Sequence, residues 1–190
     1  MDEALRHLNS LAPEEVQAEL LKCCGSTRWA REMAGRRPFA DERALLEAAD
    51  RVWLGLSHED WLEAFRSHPK IGERKAARET GAEARRWSAE EQRGTSEAAP
   101  DVLAELAEAN REYERKFGYI FIVCATGKSA AEMLSLLRQR LRNDPETELR
   151  VAAEEQRRIT RLRLEKLLDR NQESGAGSRN RERTDVSFNS

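Results

Sequence analysis

The sequence predicts an all-α fold, a single irregular helical bundle of roughly seven or eight helices. Three observations lead there. The chain is rich in Ala, Leu, Glu and Arg, with 36% charged and only 6% aromatic residues, a mixture that favours helix. Apolar residues return at helical spacing along most of its 190 residues. Helix-start signals recur between those stretches, and no set of strands that could make a sheet stands beside them.

The elements follow in order. Pro13-Glu14-Glu15 is a good first turn, with acids at the positive helix end. Val16, Leu20 and Cys23 or Cys24 continue that helix to residue 24. Trp29 to Met33 is read as a short helical turn. Asp41 caps a helix carrying Leu45, Leu46, Ala49 and Trp53. Ser57-His58-Glu59-Asp60 opens the next, which must end near Ser67-His68 because the residue before Pro69 is pushed out of the α region. The charged stretch Glu73 to Arg86 is read as a mobile turn or helix, and Ser88-Ala89-Glu90-Glu91 as a capping box. A helix runs from Pro100 to about Phe117, with Leu103, Leu106, Ala107, Asn110 and Tyr113 on one face and Gly118 as its stop. Tyr119 to Ala125 is β-branched, aromatic or small, as in a buried extended segment. Ser129-Ala130-Ala131-Glu132 opens a helix through Met133, Leu136, Leu137 and Leu141. Asn143-Asp144-Pro145-Glu146 ends it and starts a last helix that runs to about Leu168. Residues 1–168 are thus expected to form one domain, and residues 169–190, rich in Gly, Ser, Asn, Arg and Glu, a disordered tail.

Composition narrows the function classes. With 33 basic and 35 acidic residues the net charge is −2, so no basic excess drives nonspecific binding to nucleic acid. Cys23, Cys24 and Cys124 make an odd count without a Cys-x-x-Cys pair, which argues against a disulfide framework or a zinc site and for a reducing cytoplasm. No signal peptide is visible at Met1-Asp2-Glu3-Ala4. The strongest apolar run, Tyr119 to Ala125, is too short to span a bilayer. None of the three histidines has metal-ligand spacing to another. Thr126-Gly127-Lys128-Ser129 looks like the end of a phosphate loop, but the glycine required five residues before Gly127 is Ile122.

Three motifs are only partly explained by helix packing: His68-Pro69-Lys70-Ile71-Gly72, Trp87-Ser88-Ala89-Glu90-Glu91-Gln92, and Lys116-Phe117-Gly118-Tyr119 running into Ile120 to Ala125. His68 is either a loop histidine at a helix end or a proton-transfer group held rigid by Pro69. Glu91 is either a helix cap or a carboxylate fixed at a positive helix end beside exposed N–H groups. Gln92 offers a donor and an acceptor that suit a urea-like group. Ile120 to Ala125 is either buried core or a backbone edge that a planar heterocycle could satisfy. At 100° per residue, Gln156, Ile159, Leu162, Arg163 and Leu167 share one helix face, and Arg161 points almost the opposite way. A core-facing Arg163 needs either an internal carboxylate or a substrate carboxylate.

Together these residues resemble the 2-oxo-4-hydroxy-4-carboxy-5-ureidoimidazoline (OHCU) decarboxylase family of urate degradation, over most of residues 10 to 168. The resemblance is carried by His68 to Gly72, by Ser88-x-x-Glu91-Gln92, and by Tyr113-x-x-Lys116-Phe117-Gly118 followed by Phe121 to Ala125. Ile159-x-x-Leu162-Arg163-Leu164 completes it. Each motif is weak alone, and the four in this order are specific. The resemblance implies an all-α fold, no cofactor, a homodimer, and decarboxylation of OHCU to (S)-allantoin. It assigns catalysis to His68, Glu91 and Arg163, with Pro69, Ser88, Ala89, Glu90, Gln92 and the segment Phe121, Ile122, Val123, Cys124 and Ala125 binding substrate. In that scheme Glu91 holds His68 and raises its pKa. Two other readings stand beside it: a non-enzymatic helical interaction module, and a related lyase acting on another ureido acid.

Overall fold

A computed structural model describes residues 3–70, 86–87, 89–90 and 98–182, with the backbone alone described from residue 170 onward. Among the described residues there are eight helices and no strand. They are α1 (Glu3–Ser10), α2 (Pro13–Cys24), α3 (Thr27–Ala34), α4 (Glu42–Leu54), α5 (His58–Arg66), α6 (Pro100–Phe117), α7 (Ala130–Arg140) and α8 (Pro145–Glu182).

The helix boundaries follow local chemistry. Asp41 accepts from the Ala44 N–H at 2.7 Å to cap α4. Ser129 with Glu132 forms the expected capping box on α7, and Ser57 with Asp60 forms another on α5, where a helix start was expected. Gly118 ends α6 in the left-handed conformation, φ 79°. Asp144 accepts from the N–H groups of Glu146 and Thr147 at the start of α8.

Three expectations change. The turn at Trp29 to Met33 is part of a longer helix, α3, capped by Ser26. Helix α1 is an addition: Ala4, Leu5 and Leu8 are buried on one side of it against α8, and Arg37 bonds the carbonyls of Leu8 and Leu11 at its end. The last helix does not stop near Leu168 but continues to Glu182, and no proline interrupts it. Residues 73–85 of the charged stretch, together with Ser88 and Glu91 of the expected capping box, lie outside the described residues.

Two hydrophobic clusters share the interior. The larger is built from α1 to α5 and α8, around Trp29, Trp53, Phe65 and Leu164. The smaller joins α6 to α7 around Leu106, Tyr113, Met133 and Leu137. The segment 119–125 runs between them in extended form. Phe121, Val123 and Ala125 enter the smaller cluster, and Ile122 and Cys124 the larger. This is the two-residue alternation of a strand without a sheet, so its backbone groups must bond to side chains. Arg140 donates to the Ile122 carbonyl at 2.7 Å, Lys128 donates to the Cys124 carbonyl at 2.6 Å, and Glu155 accepts from the Cys124 N–H at 2.7 Å.

Arg140 belongs to a buried polar knot. Its Nε donates to Glu148 Oε1 at 2.7 Å, Asn143 donates to Glu148 Oε2 at 2.7 Å, and the Tyr113 hydroxyl donates to the same carboxylate. Glu148 is fully buried and Arg140 nearly so. The end of α5 is placed by a close approach. Gly25 follows α2 at φ +83°, and a Cβ there would sit 2.1 Å from the Ser67 hydroxyl.

Two outcomes follow. Glu148→Leu leaves the Arg140 guanidinium buried without its counter-charge, and chemical denaturation should show a loss of about 3–5 kcal/mol; a loss under 1 kcal/mol would contradict the structural role of the knot. Gly25→Ala combines left-handed strain with a clash against Ser67, and should lower stability by about 1–2 kcal/mol or more in the same measurement.

Candidate active site

His68 leaves the end of α5 two residues beyond Arg66, its N–H donating to the Phe65 carbonyl at 3.2 Å. Pro69 prevents the helix from continuing. Lys70, the next residue, pairs with Glu114 of α6 at 2.7 Å, which ties this loop to a second element. The His68 ring is half-buried and turned toward α8, where its Nε2 lies 2.7 Å from Gln156 Oε1.

Helix α8 supplies the rest. Its buried face carries Ala152, Ala153, Gln156, Ile159, Thr160, Arg163, Leu164 and Leu167. Arg163 is 2% exposed, as its helical phase predicts. Arg161, on the other side, donates to Asp50 at 2.8 Å. The guanidinium of Arg163 acts on both His68 and the Cys24 thiol at the end of α2. Burial pushes the Cys24 thiol up to about 12, so it stays protonated and unreactive.

His68 goes the other way. Burial first, then the Arg163 cation, lower its pKa from 6.5 to about 3, with the Gln156 bond opposing them. The expected raised value rests on Glu91 beside the ring, and that residue lies outside the described ones. The described neighbours of the ring are a neutral amide and a cation. The imidazole is therefore neutral, with a low proton affinity, beside a buried positive charge. An added negative charge next to this pair would make the imidazole easier to protonate.

The other expected site residues divide. Pro69 is partly buried next to His68. Glu90 is exposed and pairs with Lys166 of α8 at 2.9 Å, three residues beyond Arg163, with Ala89 exposed beside it and Trp87 buried in the larger cluster. Glu90 is thus fastened to the same helix as Arg163, and Ser88, Glu91 and Gln92 lie outside the described residues. The side chains of Phe121, Ile122, Val123, Cys124 and Ala125 are all buried. Glu155, Arg140 and Lys128 engage the backbone of Ile122 and Cys124. No sequence motif assigns a role to Gln156 or Glu155. The helical phase that singled out Arg163 also contained Gln156, which was the available signal. Among the described residues no group of three His, Cys, Asp or Glu side chains is arranged to hold a metal ion.

Comparison with known proteins points to one family. Residues 9–165 match the family model described as OHCU decarboxylase. The chain is 40% identical over 158 residues to the uric acid degradation bifunctional protein TTL of Arabidopsis thaliana, covering 83% of this chain and 48% of that one. It is 28% identical over 168 residues to the 2-oxo-4-hydroxy-4-carboxy-5-ureidoimidazoline decarboxylase of Amia calva, covering 86% of this chain and 94% of the relative. Among solved structures, an OHCU decarboxylase crystallised in the presence of (S)-allantoin superposes with a TM-score of 0.69 at 38% identity, over 80% of this chain and 98% of that one. The chain spans half or less of the length of the bifunctional relatives it matches. With the four sequence motifs, the helical fold and this match over most of its length in agreement, the chain belongs to the OHCU decarboxylase family.

Proposed function

We propose that this protein is a carboxy-lyase that converts OHCU to (S)-allantoin in urate breakdown, without a cofactor. The observation that carries the reading is the meeting of His68, Gln156 and the buried Arg163 on one face of α8, inside a chain of this family.

The chemistry suits those groups. The carbon that loses CO₂ lies beside a ring C=N. When its bond to the carboxylate breaks, the electron pair moves into the ring and that nitrogen takes up a proton. The enol left behind gives up its hydroxyl proton and the neighbouring ring carbon gains one, so the carboxylate form loses CO₂ and takes up one proton overall. The ring C=N is the electron sink that a cofactor supplies in other decarboxylations. The protein must hold the carboxylate, accept the hydroxyl proton and return a proton to one face. Arg163 is the anion anchor. His68, neutral in the free protein, is the proton acceptor, and the substrate's negative charge beside Arg163 raises its affinity for that proton. Glu91 is assigned as the second catalytic acid, on the family resemblance. Pro69, Ser88 to Gln92 and the backbone of Phe121 to Ala125 are assigned to binding on the same ground. Residues 1–168 form the catalytic domain in this reading, the protein is a homodimer, and it works in the cytoplasm. The three buried free cysteines accord with a reducing compartment, and no described helix is long and apolar enough to cross a membrane.

The reading is tested by a coupled assay. OHCU is made fresh from urate with its oxidase and hydroxyisourate hydrolase, and allantoin is followed by circular dichroism. The protein should produce (S)-allantoin well ahead of the racemic product of spontaneous decay; no acceleration by folded protein would overturn the reading. In the same assay His68→Ala should reduce stereospecific turnover by roughly 10²–10⁴-fold, the range that positioned acid–base groups contribute, with helix content unchanged. Arg163→Lys keeps the charge but loses the fork that grips a carboxylate, and should raise KM more than it lowers kcat.

The ionisation of His68 has its own consequence. Its folded-state pKa, about 3, lies below the unfolded 6.5, so the unfolded chain binds the extra proton between those values. Its contribution to stability is complete above pH 6.5 and is lost as the pH falls toward 3. The slope from this one group is at most about 1.4 kcal/mol per pH unit. The stability of wild type relative to His68→Gln should therefore fall as the pH drops through that window, and a difference that stays constant would contradict the assignment.

A further inference from the structure

His68 has two ring nitrogens, and only one of them meets Gln156. Nε2 lies 2.7 Å from Gln156 Oε1. The far side of the amide fixes which of its atoms faces the ring. Gln156 Nε2 lies 3.4 Å from the Cys24 carbonyl oxygen and 3.3 Å from the Thr160 hydroxyl. A carbonyl oxygen accepts and cannot donate, so the NH₂ group belongs beside Cys24 and the amide oxygen beside His68. The amide oxygen too can only accept, so the imidazole donates to it from Nε2. In the neutral ring the lone pair then resides on Nδ1.

The support behind Gln156 is rigid. Gln156 is fully buried in the middle of α8. The Cys24 carbonyl sits at the C-terminal end of α2, where the last carbonyls of a helix lack intrahelical partners. Thr160 is one turn further along α8 and also buried. If Gln156 turned over, its NH₂ would face His68 and its oxygen would face the Cys24 carbonyl, two acceptors in contact away from water. The amide is also neutral. A carboxylate in its place would hold the ring just as firmly but would favour the protonated form that Arg163 disfavours.

We propose that Gln156 is a positioning residue that fixes the Nε2–H tautomer of His68, so that Nδ1 is the nitrogen that exchanges protons with the substrate. This inference rests on the reading of His68 as the proton-transfer residue. It adds a residue to the site and assigns the two imidazole nitrogens different tasks.

The test is a two-bond ¹H–¹⁵N correlation spectrum of the full chain at neutral pH. With only three histidines in the sequence, His68 is assigned by its loss in His68→Ala. The wild type should show the Nε2–H pattern, with Nδ1 at the shift of an unprotonated imidazole nitrogen. Gln156→Leu should lose that single-tautomer pattern and lower kcat by about 100-fold, the low end of what a positioned acid–base group supplies, with a smaller change in KM. Gln156→Glu should restore the Nε2–H bond and shift the acid limb of the rate profile to higher pH. An Nδ1–H pattern in the wild type overturns the proposal. So does a folded Gln156→Leu that keeps both the Nε2–H pattern and its kcat. The wild-type spectrum decides the tautomer even if Gln156→Leu fails to fold. The spectrum needs no substrate, so an inactive protein with the expected tautomer would refute the proposed reaction and leave the role of Gln156 standing.

Discussion

The buried carboxylate of Glu148 is the interaction on which the rest of this fold depends. It is fully removed from solvent and receives Arg140 of α7, Tyr113 of α6 and Asn143 of the loop before α8. A charge so placed is tolerable only when its oxygens are filled with donors. Filling them brings three helices to one point. Arg140 then spends another donor on the Ile122 carbonyl, which fixes an extended segment that has no sheet to hold it. The aromatic rings of Tyr113 and Phe121 meet edge to face, 5.3 Å apart, over the same junction. The smaller hydrophobic cluster is therefore organised around a polar centre, not by apolar contact alone.

The same logic continues along α8. Glu148, Gln156, Thr160 and Arg163 are all buried on a helix whose other buried positions are apolar. Each polar group has to be answered by another part of the chain. Glu148 is answered by α6 and α7, and Gln156 by the end of α2 and by His68. The histidine that the proposed chemistry needs is thus placed by the helix that carries the arginine. The Gly25 turn allows Ser67, its immediate neighbour, to come into contact with the end of α2. A neutral imidazole and a cation held close together form a site whose proton affinity depends on whether an anion is present. In the proposed reaction that coupling makes His68 a better base once the substrate carboxylate has arrived.

Much of the helical frame was legible because its signals are local. Asp41, the Ser57 and Ser129 boxes, Pro13, Pro100 and Gly118 act within a few residues of themselves. Arg163 was legible from phase alone. Helix α1 was not, because its eight residues carry no strong cap and gain their stability from α8, far away in sequence. The Glu148 knot was hidden for a similar reason: in a chain that is 36% charged, one more Glu, Arg or Tyr at helical spacing reads as solvated surface. The described groups that lower the pKa of His68 were not legible, because its nearest described cation and amide come from a helix some ninety residues later, and sequence shows the neighbours of a residue along the chain, not across the fold. The Phe121 to Ala125 run was identified as buried and extended, while the side chains that serve its backbone, Arg140, Lys128 and Glu155, could be assigned only in three dimensions.

The measurement that bears most directly on this account is a crystal structure of the protein with (S)-allantoin bound. The account predicts the ligand between His68 and Arg163, with its ring against the backbone of residues 121–125 and one ring substituent within hydrogen-bonding distance of His68. A ligand seated elsewhere, with Arg163 still enclosed by protein groups alone and the imidazole out of reach, would contradict it.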